Sequence, residues 1–103
     1  MSNFQLHKNN SEINQEYAYL INVQSVLLSD LKTRLVIPLI KKTSRNTTIK
    51  ILNPEIQINN VTFIVLTQQM SSVPLNYLGS LSTDVQVDRT SILSAIDFLI
   101  TGY

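Results

Sequence analysis

Cysteine is absent from the 103 residues, histidine occurs once, glycine twice, and only 15% of the residues are charged. Without Cys there are no disulfides, no thiolate nucleophile and no zinc ribbon, a composition compatible with a reducing compartment. The single His7 cannot build a multi-histidine metal site. Gly79 and Gly102 alone leave no phosphate-cradling loop and no dinucleotide fingerprint. Eight Lys and Arg against seven Asp and Glu give a net charge of +1, which argues against a protein that grips nucleic acid by neutralising phosphates and against a polybasic membrane anchor. No run approaches the roughly eighteen apolar residues of a membrane span. The start, Met1 to Gln5, lacks the basic head and apolar stretch of a signal peptide, so a cytoplasmic setting without membrane contact is expected.

Polarity is supplied instead by ten Asn, eleven Ser, nine Thr and seven Gln. Length alone makes a single domain over residues 1–103 the expectation. Asn3 to Lys8 alternates, with Phe4 and Leu6 on one side, and reads as a half-buried edge strand. After a polar loop from Asn9 to Glu16, Tyr17 to Gln24 resumes the two-residue period with Tyr17, Tyr19, Ile21 and Val23 on one face. Val26, Leu27 and Leu28 then form an apolar bump between Ser25 and Ser29, either core filler or an exposed contact. Leu35 to Ile40 is apolar and broken by Pro38, which favours a strand edge or a bulge. Lys41 to Asn46 is a basic turn, Thr48 to Leu52 a short strand closed by Asn53-Pro54, and Ile56 to Leu66 a hairpin turning at Asn59-Asn60, since Asn tolerates positive φ. Val73 to Leu81 is again extended.

From Arg89 to Ile100 the period changes to that of a helix, with Asp88 as its N-cap. Ile92, Ile96, Leu99 and Tyr103 fall within about 60° of one another around the axis and predict the buried stripe. Ser94, Asp97, Phe98 and Thr101 lie opposite, where Phe98 is either an exposed contact or a cover for a nearby loop. The whole predicts six or seven short antiparallel strands followed by one C-terminal helix, a mainly β, α+β chain in which a small curled sheet or barrel carries the helix.

Chemistry is sparse in this sequence. No Gly-x-Ser-x-Gly elbow surrounds any Ser, and none of the seven carboxylates has a spacing that joins it to another for acid/base work. Lys41, Lys42 and Arg45 form the one basic cluster, read as a solvated turn. A protein that acts by binding through a surface, with no catalytic residues, metal or cofactor, is the better class.

Four strings then matter together: Ile21-Asn22-Val23-Gln24-Ser25, Arg34-Leu35-Val36-Ile37-Pro38-Leu39, Met70-Ser71-Ser72-Val73-Pro74, and Ala95-Ile96-Asp97 near the chain end. In this order and spacing the chain resembles the CcdB family of toxins, which poison DNA gyrase. The resemblance implies an SH3-like antiparallel barrel with a small extra sheet and one C-terminal helix, assembled as a homodimer with the two helices at the interface. It implies a toxin that binds the gyrase A subunit and traps the enzyme on cleaved DNA without chemistry of its own. Carried over by position, the gyrase contacts are Leu27 and Leu28 in the bump and Asp97, Ile100, Thr101, Gly102 and Tyr103 at the helix end. The best-known form of the toxin ends in Trp-Gly-Ile where this chain has Thr101-Gly102-Tyr103, and it has Asn where this chain has Asp97. The family further implies an antitoxin, CcdA, whose disordered segment folds on the toxin, with Lys8, Asn9, Asn10, Ser11, Glu12, Ile13 and Asn14 as the region it contacts. Toxin and antitoxin together repress their own operon, so DNA is met only indirectly.

Two alternatives stand beside this reading. The same barrel carries messenger-RNA endoribonucleases of the MazF and Kid type, which would need a basic groove built from Arg34, Arg45 and Arg89. A degenerate toxin would bind the antitoxin and poison nothing.

Overall fold

A computed structural model describes residues 4–11, 16–44, 48–82, 85 and 87–102 of the chain. Seven strands form one antiparallel sheet: β1 (Gln5–Asn9), β2 (Tyr17–Asn22), β3 (Thr33–Lys41), β4 (Glu55–Ile58), β5 (Val61–Val65), β6 (Ser71–Pro74) and β7 (Leu78–Ser82), followed by helix α1 (Arg89–Thr101). The mainly β architecture with one C-terminal helix is as the sequence predicts. The hydrogen-bonded order is β4-β5-β3-β2-β1-β7, with β6 also on β3.

β3 is the hub, and it takes two neighbours in succession on one side: Thr33 to Val36 pair with β6, and Leu39 to Lys41 pair with β5. Pro38 therefore lies on the central strand, not at an edge. It is tolerated because it falls in the gap between those two neighbours, where its missing N–H has no acceptor to lose. Its carbonyl still accepts from the Leu66 N–H at 2.9 Å.

The bulge lies elsewhere. Tyr17 pairs with Ile40 and Tyr19 with Leu39, so Ala18 is an extra residue in β2. A bulge shifts the alternation by one, which separates the two tyrosines expected on one face. Tyr19 packs on the core and meets the Phe63 ring edge-on at 5.2 Å and 81°. Tyr17 instead lines a groove on the other face beside the buried Leu20.

Thr48 to Leu52 is not a strand. The segment is a turn closed by the buried Asn53, whose Oδ1 accepts from the Ile49 N–H at 3.1 Å while its own N–H donates to the Ile49 carbonyl at 2.7 Å. Its amide donates onward to the Val65 carbonyl and to Gln68 Oε1. β1 is likewise not an edge strand, because β2 and β7 flank it on both sides. Asn59 and Asn60 adopt φ of 51° and 67° and close the β4–β5 hairpin, as their tolerance of the left-handed region predicts.

The core gathers Leu6, Ile21, Ile37, Leu39, Phe63 and Val65 from the sheet with Val87 and Ile92 from the helical end. Asp88 caps α1 by accepting from the Thr90 N–H at 3.1 Å. The buried helix face is set by Ile92 and Ala95, rather than the broader stripe predicted. Leu99 is 39% exposed, and Phe98 is half-buried instead of exposed, because the helix rotates its Ala95 and Phe98 side toward the body.

Candidate binding surface

The apolar bump forms a 3-10 turn, Val26–Leu28, that buries none of its residues. Ser25 caps it by accepting from the Leu27 N–H at 3.2 Å. Leu27 is 89% exposed and Val26 65%. Single exposed apolar residues are ordinary, but Val26, Leu27 and Leu28 are consecutive, Leu31 follows three residues on, and all four are exposed, which marks a contact surface rather than core filler.

At the other end, Ile100 is 71% exposed. Leu93 and Ile96 lie with it along one side of α1, bordered by Thr90, Ser94 and Asp97, around a shallow depression. The helix stops at Gly102, whose φ of 80° lies in the left-handed region that glycine adopts without cost, and its N–H donates to the Phe98 carbonyl at 2.9 Å. The Thr101 hydroxyl turns back to donate to the Asp97 carbonyl at 2.7 Å. Asp97 and Thr101 thus stand one turn apart on the exposed side, joined through backbone rather than through the Asp97 carboxylate. Tyr103 lies outside the described residues. The bump and the helix end are separate elements: α1 packs on the core, whereas the bump packs nothing of its own inside.

The third region surrounds the β1–β2 connection. Asn9 donates to the Tyr17 carbonyl at 2.8 Å and accepts from the Ser11 N–H at 2.9 Å. The Asn10 backbone N–H donates to the Tyr77 carbonyl at 2.8 Å, and its side chain to the Asn76 carbonyl at 3.2 Å. Lys8 is exposed; Glu12, Ile13 and Asn14 lie outside the described residues. Beside this connection lies a groove of about 250 Å³ of mixed lining, with Leu20, Val36, Pro38 and Val73 as its apolar part and Asn9, Ser11, Gln69 and Ser71 as its polar part, and Tyr17 and Tyr77 beside them. This groove is not legible in local sequence, because the Ala18 bulge is what turns Tyr17 into it.

Two of the three arginines that would serve an endoribonuclease, Arg34 and Arg89, are otherwise engaged. Arg34 donates from one guanidinium nitrogen to the Leu31 and Thr33 carbonyls at 2.6 and 2.8 Å, and from the other to the Ser29 carbonyl at 2.9 Å. The Arg89 guanidinium lies 4.7 Å from the centre of the Phe4 ring. Arg45 lies outside the described residues. His7 Nδ1 is 3.0 Å from the Gly79 carbonyl, so that nitrogen carries the proton, and Nε2 is buried with no hydrogen-bond partner among the described residues. It is thus a half-buried strand residue tied to β7 rather than a surface one. Among the described residues no three His, Asp or Glu side chains gather as metal ligands would, and no helix is long and apolar enough to cross a membrane.

Fold and surface together define a mainly β protein, closed by one C-terminal helix, that shows apolar side chains on a pinned turn and along the free side of the helix. A family profile described as CcdB protein matches residues 3–102, nearly the whole chain. The chain belongs to the CcdB family and is accordingly a toxin of a toxin–antitoxin system. Among curated proteins, none matches it.

Proposed function

We propose that this toxin binds the gyrase A subunit and traps the gyrase–DNA cleavage complex, acting as a single-domain homodimer that poisons an enzyme without being one. Membership of the family supports the target, and one observation of this chain carries the reading: both places where the gyrase contacts map, Leu27 with Leu28 and Ile100 with Thr101, are exposed apolar or uncharged surface. Partner surfaces of this kind concentrate affinity in a few apolar anchors. Asp97, Thr101, Gly102 and Tyr103 complete the helix-end contact in this proposal. The homodimer forms along the Leu93 side of α1, which leaves Ile100 at the helix end free for gyrase.

An antitoxin of the CcdA kind neutralises the toxin through the Lys8 to Asn14 region, and the two co-repress their operon in the cytoplasm. The groove lined by Asn9, Ser11, Leu20, Val36 and Val73 supports this contact, since a disordered segment that folds on binding needs concave surface with both apolar area and hydrogen-bonding groups to offset its ordering entropy. β1 is paired on both sides, so the antitoxin meets this region through side chains and the groove rather than by adding a strand to β1.

The test is direct. Purified protein incubated with gyrase, ATP and DNA is expected to accumulate covalent gyrase–DNA complexes, and a gyrase A variant altered at the docking site should restore growth to expressing bacteria. Toxicity that is unchanged in that variant strain sinks the gyrase assignment. Binding to antitoxin without any cleavage complex would instead identify a degenerate toxin, the outcome favoured if the small, inward-bonded Thr101 cannot replace an aromatic anchor. Cleavage of messenger RNA by the pure protein would point to the endoribonuclease reading, against which the structural engagement of Arg34 already weighs.

A further inference from the structure

The turn that displays Leu27 is held within itself by the Ser25 cap and three backbone hydrogen bonds, with no buried side chain to add to them. It buries no residue, and short 3-10 turns have poor hydrogen-bond geometry and little intrinsic stability. Two side chains from the sheet bond to it as well. Arg34, half-buried on β3, spans the Ser29, Leu31 and Thr33 carbonyls with its guanidinium at 2.6 to 2.9 Å. Gln24, just past β2, donates Nε2 to the Leu28 carbonyl at 3.1 Å while its Oε1 accepts from the Leu35 N–H at 3.1 Å. Four consecutive-region carbonyls, those of Leu28, Ser29, Leu31 and Thr33, are thereby taken by side-chain donors fixed to β2 and β3. A planar fork with five donors can bridge carbonyls in this way; a lysine ammonium, a single point donor group, cannot reproduce the spacing. No carboxylate among the described residues pairs with Arg34, so its charge is spent on loop carbonyls alone.

We infer that Arg34, seconded by Gln24, is a positioning residue that holds the segment from Ser25 to Thr33 in one conformation, so that Leu27 and Leu28 meet an apolar pocket of the partner protein as a preformed anchor. The guanidinium is occupied by the loop carbonyls and need not touch the partner. An unbraced loop would have to be ordered at the moment of docking, and the apparent affinity would fall by the fraction of molecules with the loop already in place. The choice of partner rests on the gyrase reading; the brace itself does not.

Hydrogen exchange and binding separate the two. The amides of Leu28, Ser29 and Leu31 donate within the loop to Ser25, Val26 and Leu28. In Arg34→Ala they should exchange at least about tenfold faster while the Ile21 and Ile64 amides of the sheet keep their rates. Arg34→Lys should recover only part of that protection. Binding to the isolated gyrase A subunit should weaken about tenfold in Arg34→Ala, yet by less than about twofold when the same change is made in a Leu27→Ala/Leu28→Ala background, because the brace acts only through those side chains. Antitoxin binding should stay within about twofold of the original in every variant. Loop exchange that does not change, or an equal loss of gyrase binding in both backgrounds, overturns the proposal. If the unaltered protein does not bind gyrase A at all, the gyrase reading fails and the exchange data alone decide the brace. Should Arg34→Ala not fold, Gln24→Ala, which removes the donor to the Leu28 carbonyl and the acceptor of the Leu35 N–H, carries both readouts.

Discussion

Asn53 is 4% exposed, and its side chain joins the Ile49 N–H, the Val65 carbonyl and Gln68 Oε1. Truncating it takes a donor from the buried Val65 carbonyl and the acceptor from the part-buried Ile49 N–H, so Asn53→Ala should cost about 1–3 kcal/mol in urea unfolding followed by circular dichroism. A loss below about 0.5 kcal/mol would show that the amide is not what closes the segment. Asp88 makes a pH prediction. The Ser91 hydroxyl, donating to Oδ2 at 2.7 Å, together with the Ser91 and Thr90 backbone N–H groups, holds its carboxyl below the usual 3.8. A carboxylate depressed in the folded state stabilises above its unfolded value, so the contribution of the cap is complete at neutral pH and disappears as the pH falls below 3.8 through the lower folded value. The stability gap between the unaltered protein and Asp88→Asn should therefore be largest at neutral pH and close in acid; a gap independent of pH refutes it. Of these two residues, the helix cap was legible because Asp before a helical period has one dominant use. Asn53 was not, since Thr48 to Leu52 alternates like a strand and only the folded chain shows where its N–H groups find partners.

At the scale of elements, β7 approaches β1 so closely that a Cβ on Gly79 would lie 2.9 Å from the Lys8 carbonyl oxygen. Backbone cannot move aside as a side-chain tip can, so Gly79→Ala should destabilise by about 1–3 kcal/mol and should speed hydrogen exchange first in β7. Uniform exchange across the sheet would contradict the local origin. The β4–β5 hairpin and the existence and length of α1 follow from local sequence, because Asn-Asn and the change of period act within a few residues. The Ala18 bulge and the rotation of α1 do not. Both depend on partners distant in the chain, Leu39 and Ile40 for the bulge and the sheet core for the helix, and apolar residues at Ile96, Leu99 and Ile100 satisfy more than one rotation on periodicity alone.

For the whole molecule, the exposed side of α1 leads to a prediction about assembly. Leu93→Glu places a charge where the proposed dimer would bury an apolar side chain, and should shift the protein from dimer to monomer in sedimentation without loss of helix signal. A dimer that persists would move the interface away from α1. Leu27→Ala with Leu28→Ala should lower affinity for gyrase A by about tenfold or more, leaving stability unchanged because neither side chain is buried. The sequence by itself determined the class of fold, the helix and its start, the asparagine hairpin, and through four strings in register the family, since each of these is written in local pattern or local identity. Only the tertiary structure decided that Pro38 lies on the central strand, that Tyr17 and Tyr19 part to opposite faces, and that Arg34 serves a loop rather than a ligand. The physical reason is common to all three: a backbone or guanidinium group must find its hydrogen-bond partner across the sheet or around a turn, and which partner that is depends on chain segments that no single stretch of sequence contains.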